Sequence, residues 1–217
     1  MEPTALTMAG ASEEYRAARE KLISAELELR EHVEQVAAMR RALPPGPLIA
    51  DYEFFDGTER VKLSQLFDDG KPYLVVYHLM YWQDDQEFCP MCSMWVDAWD
   101  GVAHHVAQRA AVVAASLAPA DQLQAWKSHR KWQRIRVVAD ADPSFARDTG
   151  AERDGQPIPT VLVFEKSADG VRHVLTAHAE FPDDTTRGID QLCPTWHIFD
   201  LLPVGRGDWN SGNAYVT

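Results

Sequence analysis

The chain carries three cysteines, and two of them lie close together in the stretch Phe88-Cys89-Pro90-Met91-Cys92. Paired thiols at this spacing serve either thiol–disulfide exchange or metal binding. An apolar run over residues 73–81 precedes the pair, and residues 93–99 after it have the pattern of a helix. A strand, a loop and then Cys-x-x-Cys at the start of a helix is the layout of a redox-active dithiol, so we predict redox chemistry here.

The predicted position of Cys89, at the N-terminus of a helix, favours its thiolate form. Unpaired backbone N–H groups and the helix dipole stabilise an anion there, which lowers the pKa of a thiol. Cys92 lies one turn along, within reach for a disulfide, and Pro90 suits the first turn because that position needs no N–H donor. Negative charge in the segment Gln83-Asp84-Asp85-Gln86-Glu87 acts against this shift, so its net sign stays open.

A zinc site is the other use of such a pair. It requires two further ligands. The candidates are Cys193, His104, His105 and His197, and none of them has the spacing of a metal motif. We therefore predict no metal, and we assign Cys193 to the core as a small apolar side chain.

The bulk composition is that of a globular protein. The 217 residues allow one α/β domain with extensions, or two small domains, and 46% hydrophobic residues suffice for a sizeable core. The net charge of −12 argues against nucleic acid or an anionic membrane as partner. No apolar run reaches the ~20 residues of a membrane helix, and the N-terminus lacks the basic region of a secretory signal, so we expect a cytoplasmic protein.

A long helix is predicted over residues 12–43. Apolar residues recur every seven positions, at Tyr15, Leu22, Leu29, Val36 and Leu43. Ser12 suits the N-cap, and Pro44-Pro45-Gly46-Pro47 ends the helix. The single apolar stripe should pack along the rest of the chain or against a second copy, which would give a homodimer through this helix.

The remaining chain alternates between strand and helix patterns. We predict a hairpin within residues 48–63, strands over 73–81, 110–118, 134–139, 158–164 and 171–179, and helices over 90–108, 119–132, 143–149 and 188–201. This order predicts an α/β fold with a mixed central sheet and helices on both faces. The predicted organisation is an N-terminal helical arm (1–47), a domain (48–203) and a loose C-terminal tail (204–217).

Two motifs resemble the thioredoxin superfamily. These are the strand followed by Cys89-Pro90-Met91-Cys92 and a helix, and Ile158-Pro159-Thr160 at the start of a hairpin. The resemblance implies a thioredoxin-like fold in which Pro159 is cis and lies against the dithiol. Only about 5–6% of X–Pro bonds in folded proteins are cis.

A closer resemblance covers nearly the whole chain. The segments Arg41-Ala42-Leu43-Pro44, Tyr77-His78-Leu79-Met80, Cys89 to Asp97 and Leu201 to Arg206 are similar to a bacterial thioredoxin-like family catalogued as a domain of unknown function and described as dithiol-disulfide oxidoreductases. It implies that Cys89 attacks, that Cys92 resolves, and that Pro90, Ile158 and Pro159 contact the substrate. Many thioredoxins carry a buried acid on the strand before the dithiol. Val76 occupies that position here, so His78 is the candidate base.

Two alternatives stay open. Residues 111–116 and the following helix with Trp126 resemble peroxiredoxins, and aligned that way Cys92 would be the peroxide-reducing thiol. The second alternative is a protein that is not an enzyme: a thioredoxin-like binding module whose dithiol has no catalytic role. We favour a thiol–disulfide oxidoreductase that needs no cofactor, and whose partners are a protein or small-molecule disulfide and a thiol reductant.

Overall fold

The computed structural model describes residues 9–68, 70–181 and 185–215. The chain forms two compact units, Met1–Pro44 and Pro45–Thr217. The first unit is built on helix α1, Glu13–Arg41, which confirms the predicted long helix. Ser12 caps α1 by accepting a hydrogen bond from the backbone N–H of Tyr15. None of the 29 residues of α1 is buried.

The second unit contains the other predicted elements and two short hairpins that were not predicted. In chain order its elements are β1 (Glu53–Asp56), β2 (Glu59–Lys62), β3 (Tyr73–His78), β4 (Tyr81–Trp82), β5 (Glu87–Phe88), α2 (Pro90–Val106), β6 (Ala111–Ser116), α3 (Ala120–Arg130), β7 (Arg136–Asp140), α4 (Ser144–Thr149), β8 (Glu152–Arg153), β9 (Gln156–Pro157), β10 (Thr160–Ser167), β11 (Gly170–His178) and α5 (Pro194–Phe199). The unpredicted hairpins are β4–β5 and β8–β9. Each has only two residues per strand, too few for a period-two pattern to show.

Within the described residues, seven strands form the main sheet in the order β11-β10-β3-β6-β7-β1-β2. The central strands β3, β6 and β7 are parallel, and the outer strands pair antiparallel. Strands β3 and β6 are largely apolar because both of their faces are covered, and each ends in a buried polar residue, His78 and Ser116. The prediction of a mixed central sheet is therefore confirmed.

Two apolar layers cover the sheet, one on each face. On the first face Tyr77 and Leu79 pack with residues of α2 and with Trp196 of α5. On the second face Leu74 and Val76 pack with Phe145 of α4. The alternation of side chains along β3 thus assigns odd-numbered residues to one layer and even-numbered residues to the other.

The final helix is shorter than predicted. The sequence pattern indicated a helix over residues 188–201 with Cys193 inside it, but α5 spans only Pro194–Phe199 and Cys193 precedes it as the N-cap residue. Pro194 explains the difference: it has no N–H to continue a helix from upstream, but it fits the first position of a new one. Cys193 is buried, as predicted.

The described part of the C-terminal tail makes specific contacts with α3 and α5, although most of its side chains are exposed, so the prediction that it is loose does not hold for the segment around Asn213. The Asn213 backbone carbonyl accepts a hydrogen bond from Arg130 Nη1 at 3.0 Å, and Trp209 packs edge-on against Trp196 and Phe199. The Tyr215 ring lies under the Arg130 guanidinium, 4.3 Å from its ring centre to the cation. These long-range contacts tie the described part of the tail, residues 204–215, to the second unit.

Among the helices of the described residues, none has both the length and the apolar character needed to cross a membrane.

Candidate active site

Cys89 occupies the N-cap of α2, as predicted. Its φ and ψ are −61° and 120°, which is extended backbone, and Pro90 follows as the first residue of the helix. The Cys89 sulfur accepts hydrogen bonds from the backbone N–H groups of Met91 and Cys92, the latter at 3.4 Å. These are the unpaired donors of the first turn, and they point at the sulfur because the N-cap side chain folds back over them.

Cys92 lies deeper, and its thiol has different neighbours. Its exposed fraction is 1%, against 8% for Cys89. The Cys92 thiol donates to Cys89 Sγ, and the Tyr77 hydroxyl and the Met80 backbone N–H donate to Cys92 Sγ. Both cysteines are free thiols in the structure.

The two thiols are shifted in opposite directions. The pKa of Cys89 is lowered from 9.0 to about 7, chiefly by the hydrogen bond from Cys92 and then by the two backbone N–H groups, against burial and the charge of Glu87. The pKa of Cys92 is raised well above 9.0, chiefly because burial penalises its thiolate. The hydrogen bond from the Cys92 thiol, with the two backbone N–H groups, therefore outweighs burial and the charge of Glu87, and the pKa of Cys89 is lowered.

A chain of hydrogen bonds and aromatic rings supports the Cys89 backbone. Ser93 Oγ donates to the Cys89 carbonyl at 3.0 Å and accepts from Trp126 Nε1 of α3 at 3.1 Å. The Trp126 ring is stacked on Phe88, with ring centres 5.0 Å apart. The Cys89 backbone is thus held by α3 as well as by its own helix.

His78 is not brought to the dithiol. It belongs to the even-numbered layer of β3, where its ring lies 6.1 Å from that of Phe145 and its Nε2 lies 3.2 Å from Asp140 Oδ2, with both side chains fully buried. Its neighbour Tyr77 faces the cysteines instead. We therefore withdraw His78 as the base. Tyr77 and His78 point to opposite faces of β3. Both faces of this strand are buried and largely apolar, so its sequence does not show which face adjoins the dithiol.

The Ile158–Pro159 peptide bond is trans, so the expected cis-proline is wrong. The Ile158 N–H donates to the Ala151 carbonyl at 2.8 Å, and the chain continues from there into β10 with the isomer that X–Pro bonds favour by about 0.5–1 kcal/mol. The register pairs Thr160, the first residue of β10, with His78, the last residue of β3. Pro159 therefore lies beside the end of β3, from which the chain continues toward Cys89. The Ile158 N–H already has a partner, and Pro159 has no N–H. The Ile158 carbonyl accepts from Thr160 Oγ1 at 2.9 Å and the Pro159 carbonyl accepts from the Ala179 N–H at 3.1 Å, so the side chains of Ile158 and Pro159 are the groups left for contact with a substrate.

The zinc alternative gains no support from the geometry. In the described ranges, no three His, Cys, Asp or Glu side chains come together in a group that could hold a metal ion. Cys193 lies in the same apolar layer as the dithiol, and burial raises its pKa.

Tyr77→Phe tests the donor to Cys92. Because the Tyr77 hydroxyl lowers the pKa of Cys92, its removal should slow any step in which Cys92 acts as a thiolate by about tenfold. The measurement is quenched-flow decay of the mixed disulfide between Cys89 and glutathione. Tyr81→Phe is the matched control, since the Tyr81 hydroxyl donates to Gln122, at 2.5 Å, and should leave this rate unchanged. Equal rates in Tyr77→Phe and Tyr81→Phe would show that the Tyr77 hydroxyl does not stabilise the Cys92 thiolate.

Comparison with known proteins identifies the family and a set of similar structures. The chain matches the family described as "Bacterial protein of unknown function (DUF899)" over residues 5–216. No curated protein matches it. The exposed lipoprotein thioredoxin of Streptococcus pneumoniae is 18% identical, with 67% of this chain and 99% of that one covered and a TM-score of 0.46. Oxidized Prx3 from Vibrio vulnificus is 16% identical, with coverage of 70% and 99% and a TM-score of 0.49. Peroxiredoxin Q from Xanthomonas campestris (one of its mutant structures) is 12% identical, with coverage of 61% and 85% and a TM-score of 0.48.

The chain belongs to this bacterial family. Its fold is thioredoxin-like, because a parallel strand leads to Cys-x-x-Cys at the N-terminus of a helix and an antiparallel hairpin with a final helix closes the sheet. The predicted family and fold are both confirmed. At these identities and TM-scores the similar structures indicate no activity for this chain, and the dithiol is the feature of the structure that bears on its function.

Proposed function

We propose that this protein is a thiol–disulfide oxidoreductase in which Cys89 attacks and Cys92 resolves. The observation that carries this proposal is the contrast between the two thiols. Cys89 has a pKa of about 7 and is the more exposed, whereas Cys92 is buried and protonated. A thiol with a pKa near ambient pH combines a large thiolate fraction with high nucleophilicity, which suits it to attack a disulfide.

In the first step the Cys89 thiolate attacks one sulfur of a substrate disulfide. A bond forms between Cys89 Sγ and that sulfur, the substrate S–S bond breaks, and the other substrate sulfur leaves as a thiolate that takes a proton from solvent. Donation by the Cys92 thiol and the Met91 and Cys92 N–H groups holds the attacking anion in place before the reaction. Ile158 and Pro159, together with Pro90, are the proposed contacts for the substrate around this sulfur.

In the second step Cys92 attacks Cys89 Sγ. Cys92 first loses its proton to the solvent or the departed thiolate, and the Tyr77 hydroxyl and Met80 N–H stabilise the anion that results. The Cys89–Cys92 disulfide forms, and the substrate leaves with both of its sulfurs reduced. Two electrons have then passed from the dithiol to the substrate, and a thiol reductant must return them.

The peroxidase alternative assigns the attacking role to Cys92. The geometry favours it less, since burial raises the pKa of Cys92 and leaves little thiolate to meet a peroxide. The two functions therefore predict different first targets of oxidation, Cys89 together with Cys92 in exchange and Cys92 alone in peroxide reduction.

Equilibration of the pure protein in glutathione buffers of graded ratio tests the proposal. We expect a reversible loss of two hydrogens by intact mass, mapped by peptide analysis to Cys89 and Cys92, and the midpoint gives the potential of the pair. The Cys193→Ala variant should titrate identically, because Cys193 has no part in the exchange. If no such disulfide forms and peroxide oxidises Cys92 alone, the peroxidase function replaces the proposed one. If neither thiol reacts, the chain is a binding module.

A further inference from the structure

The peptide group that joins Phe88 to Cys89 is held at both of its ends. On one side the Cys89 N–H donates to the Met80 carbonyl at 3.2 Å. On the other side the Phe88 carbonyl accepts a hydrogen bond from Asn213 Nδ2 at 2.9 Å. The plane of this peptide sets the direction from which the chain enters the N-cap, and with it the position of the Cys89 sulfur over the first turn of α2.

Asn213 also contacts the charged residue that lies nearest to the nucleophile in sequence. Its amide donates to Glu87 Oε1 at 3.1 Å, so one side chain holds the carboxylate and the neighbouring carbonyl together. Glu87 is the group whose charge opposes the thiolate of Cys89. The Asn213 amide thus fixes both the backbone and the nearest anion of the site.

The position of Asn213 is itself determined by α3. Its backbone carbonyl accepts from Arg130 Nη1 at 3.0 Å and lies 3.3 Å from His129 Nε2. The buried Arg130 side chain is ion-paired with Asp97 of α2, and the Tyr215 hydroxyl lies 3.0 Å from Asp97 Oδ1. Because these contacts fix the backbone of Asn213, its side-chain amide stays directed toward Phe88 and Glu87. Little further side-chain entropy is then lost when a substrate binds.

From this geometry we propose that Asn213 is a positioning residue for the Cys89 nucleophile. Asn213 acts through the Phe88 carbonyl and the Glu87 carboxylate, and it does not itself contact the reacting sulfur. The inference rests on the proposed function only in taking Cys89 as the reacting thiol. Its test can therefore succeed or fail independently of any turnover of disulfides.

The test measures the rate of Cys89 alkylation by iodoacetamide against pH, with peptide mass spectrometry as the readout. For the unmodified protein we expect a half-maximal rate near the Cys89 pKa of about 7. Asn213→Asp keeps the shape but loses the donor and places a carboxylate beside Glu87, so the profile should move up by roughly one pH unit, and alkylation at pH 7 should slow about fivefold. Asn213→Ala should give a smaller shift in the same direction.

Asn210→Asp is the matched control. Asn210 is exposed in the same tail, its amide reaches only the Asp208 carbonyl at 3.4 Å, and the substitution changes the charge equally. Its alkylation profile should coincide with that of the unmodified protein. The proposal is overturned if the Asn213 variants coincide with Asn210→Asp, or if Asn213→Asp is slow but Asn213→Ala is normal, because added charge would then explain the effect. Near-UV circular dichroism reports on the fold, and unfolding of both Asn213 variants would also overturn the proposal, since Asn213 would then be a determinant of global stability.

Discussion

Replacement of Cys89 by serine is expected to reduce thiol–disulfide exchange by on the order of a thousandfold, to the background of the buffer. A serine hydroxyl is not ionised near neutral pH, whereas the Cys89 thiol has a pKa of about 7 and is the more exposed thiol of the pair. The measurement is the initial rate at which the reduced protein reduces oxidised glutathione, followed by the appearance of reduced glutathione after it is separated from the protein.

Cys193→Ala is the appropriate control for this experiment. Cys193 is fully buried, and alanine preserves a small apolar side chain there, so the rate should stay within a factor of about two of the unmodified protein. Retained exchange in Cys89→Ser would show that another thiol attacks, and the assignment of Cys89 as nucleophile would be abandoned.

The Cys92→Ser variant is expected to form the mixed disulfide and then stop. Cys89 keeps its two backbone donors, and the replacing hydroxyl can still donate to Cys89 Sγ, so the attack should proceed at a rate similar to that of the unmodified protein. No second thiolate then displaces the substrate, and we expect the adduct to persist at least about a hundredfold longer. Non-reducing gels or intact mass measured over time follow the adduct.

Two further variants sharpen this result. Cys92→Ser combined with Cys193→Ala tests whether Cys193, which lies in the same apolar layer, resolves the adduct slowly. Cys92→Ala removes the strongest donor to Cys89 Sγ, so it should raise the pKa of Cys89 and slow the first step as well. An adduct of Cys92→Ser that decays as fast as in the unmodified protein would contradict the resolving role of Cys92.

The elements that carry the dithiol were predictable because their sequence signals are strong and local. The β-branched apolar run around Val75 and Val76 is typical of a strand covered on both faces, and Pro90 after Cys89 marks the start of a helix. The Asp169-Gly170 turn between two β-rich segments predicted the hairpin of β10 and β11. In each case the signal lies within the element or directly beside it in the sequence.

The partners of the two thiols were less predictable. Choosing Tyr77 rather than His78 requires the face of β3 on which α2 packs, and a strand that is apolar on both faces does not encode it. Pro159 is trans and directly follows the β8–β9 hairpin, whose two-residue strands lack a periodic pattern. The Gly- and Asn-rich composition of the tail suggested a loose segment, but Asn213 finds its partners at Phe88 and Arg130, far away in the sequence.

The contact between Asn213 and Phe88 has a consequence for the protein during its synthesis. The two residues are 125 positions apart, so at ~5–20 residues per second the ribosome adds Asn213 about 6–25 s after Phe88. Throughout that interval the nascent chain carries the cysteine pair without the amide that holds the Phe88 carbonyl. Any reaction of Cys89 with thiols or disulfides before Asn213 is in place therefore occurs without this support of the Phe88 carbonyl.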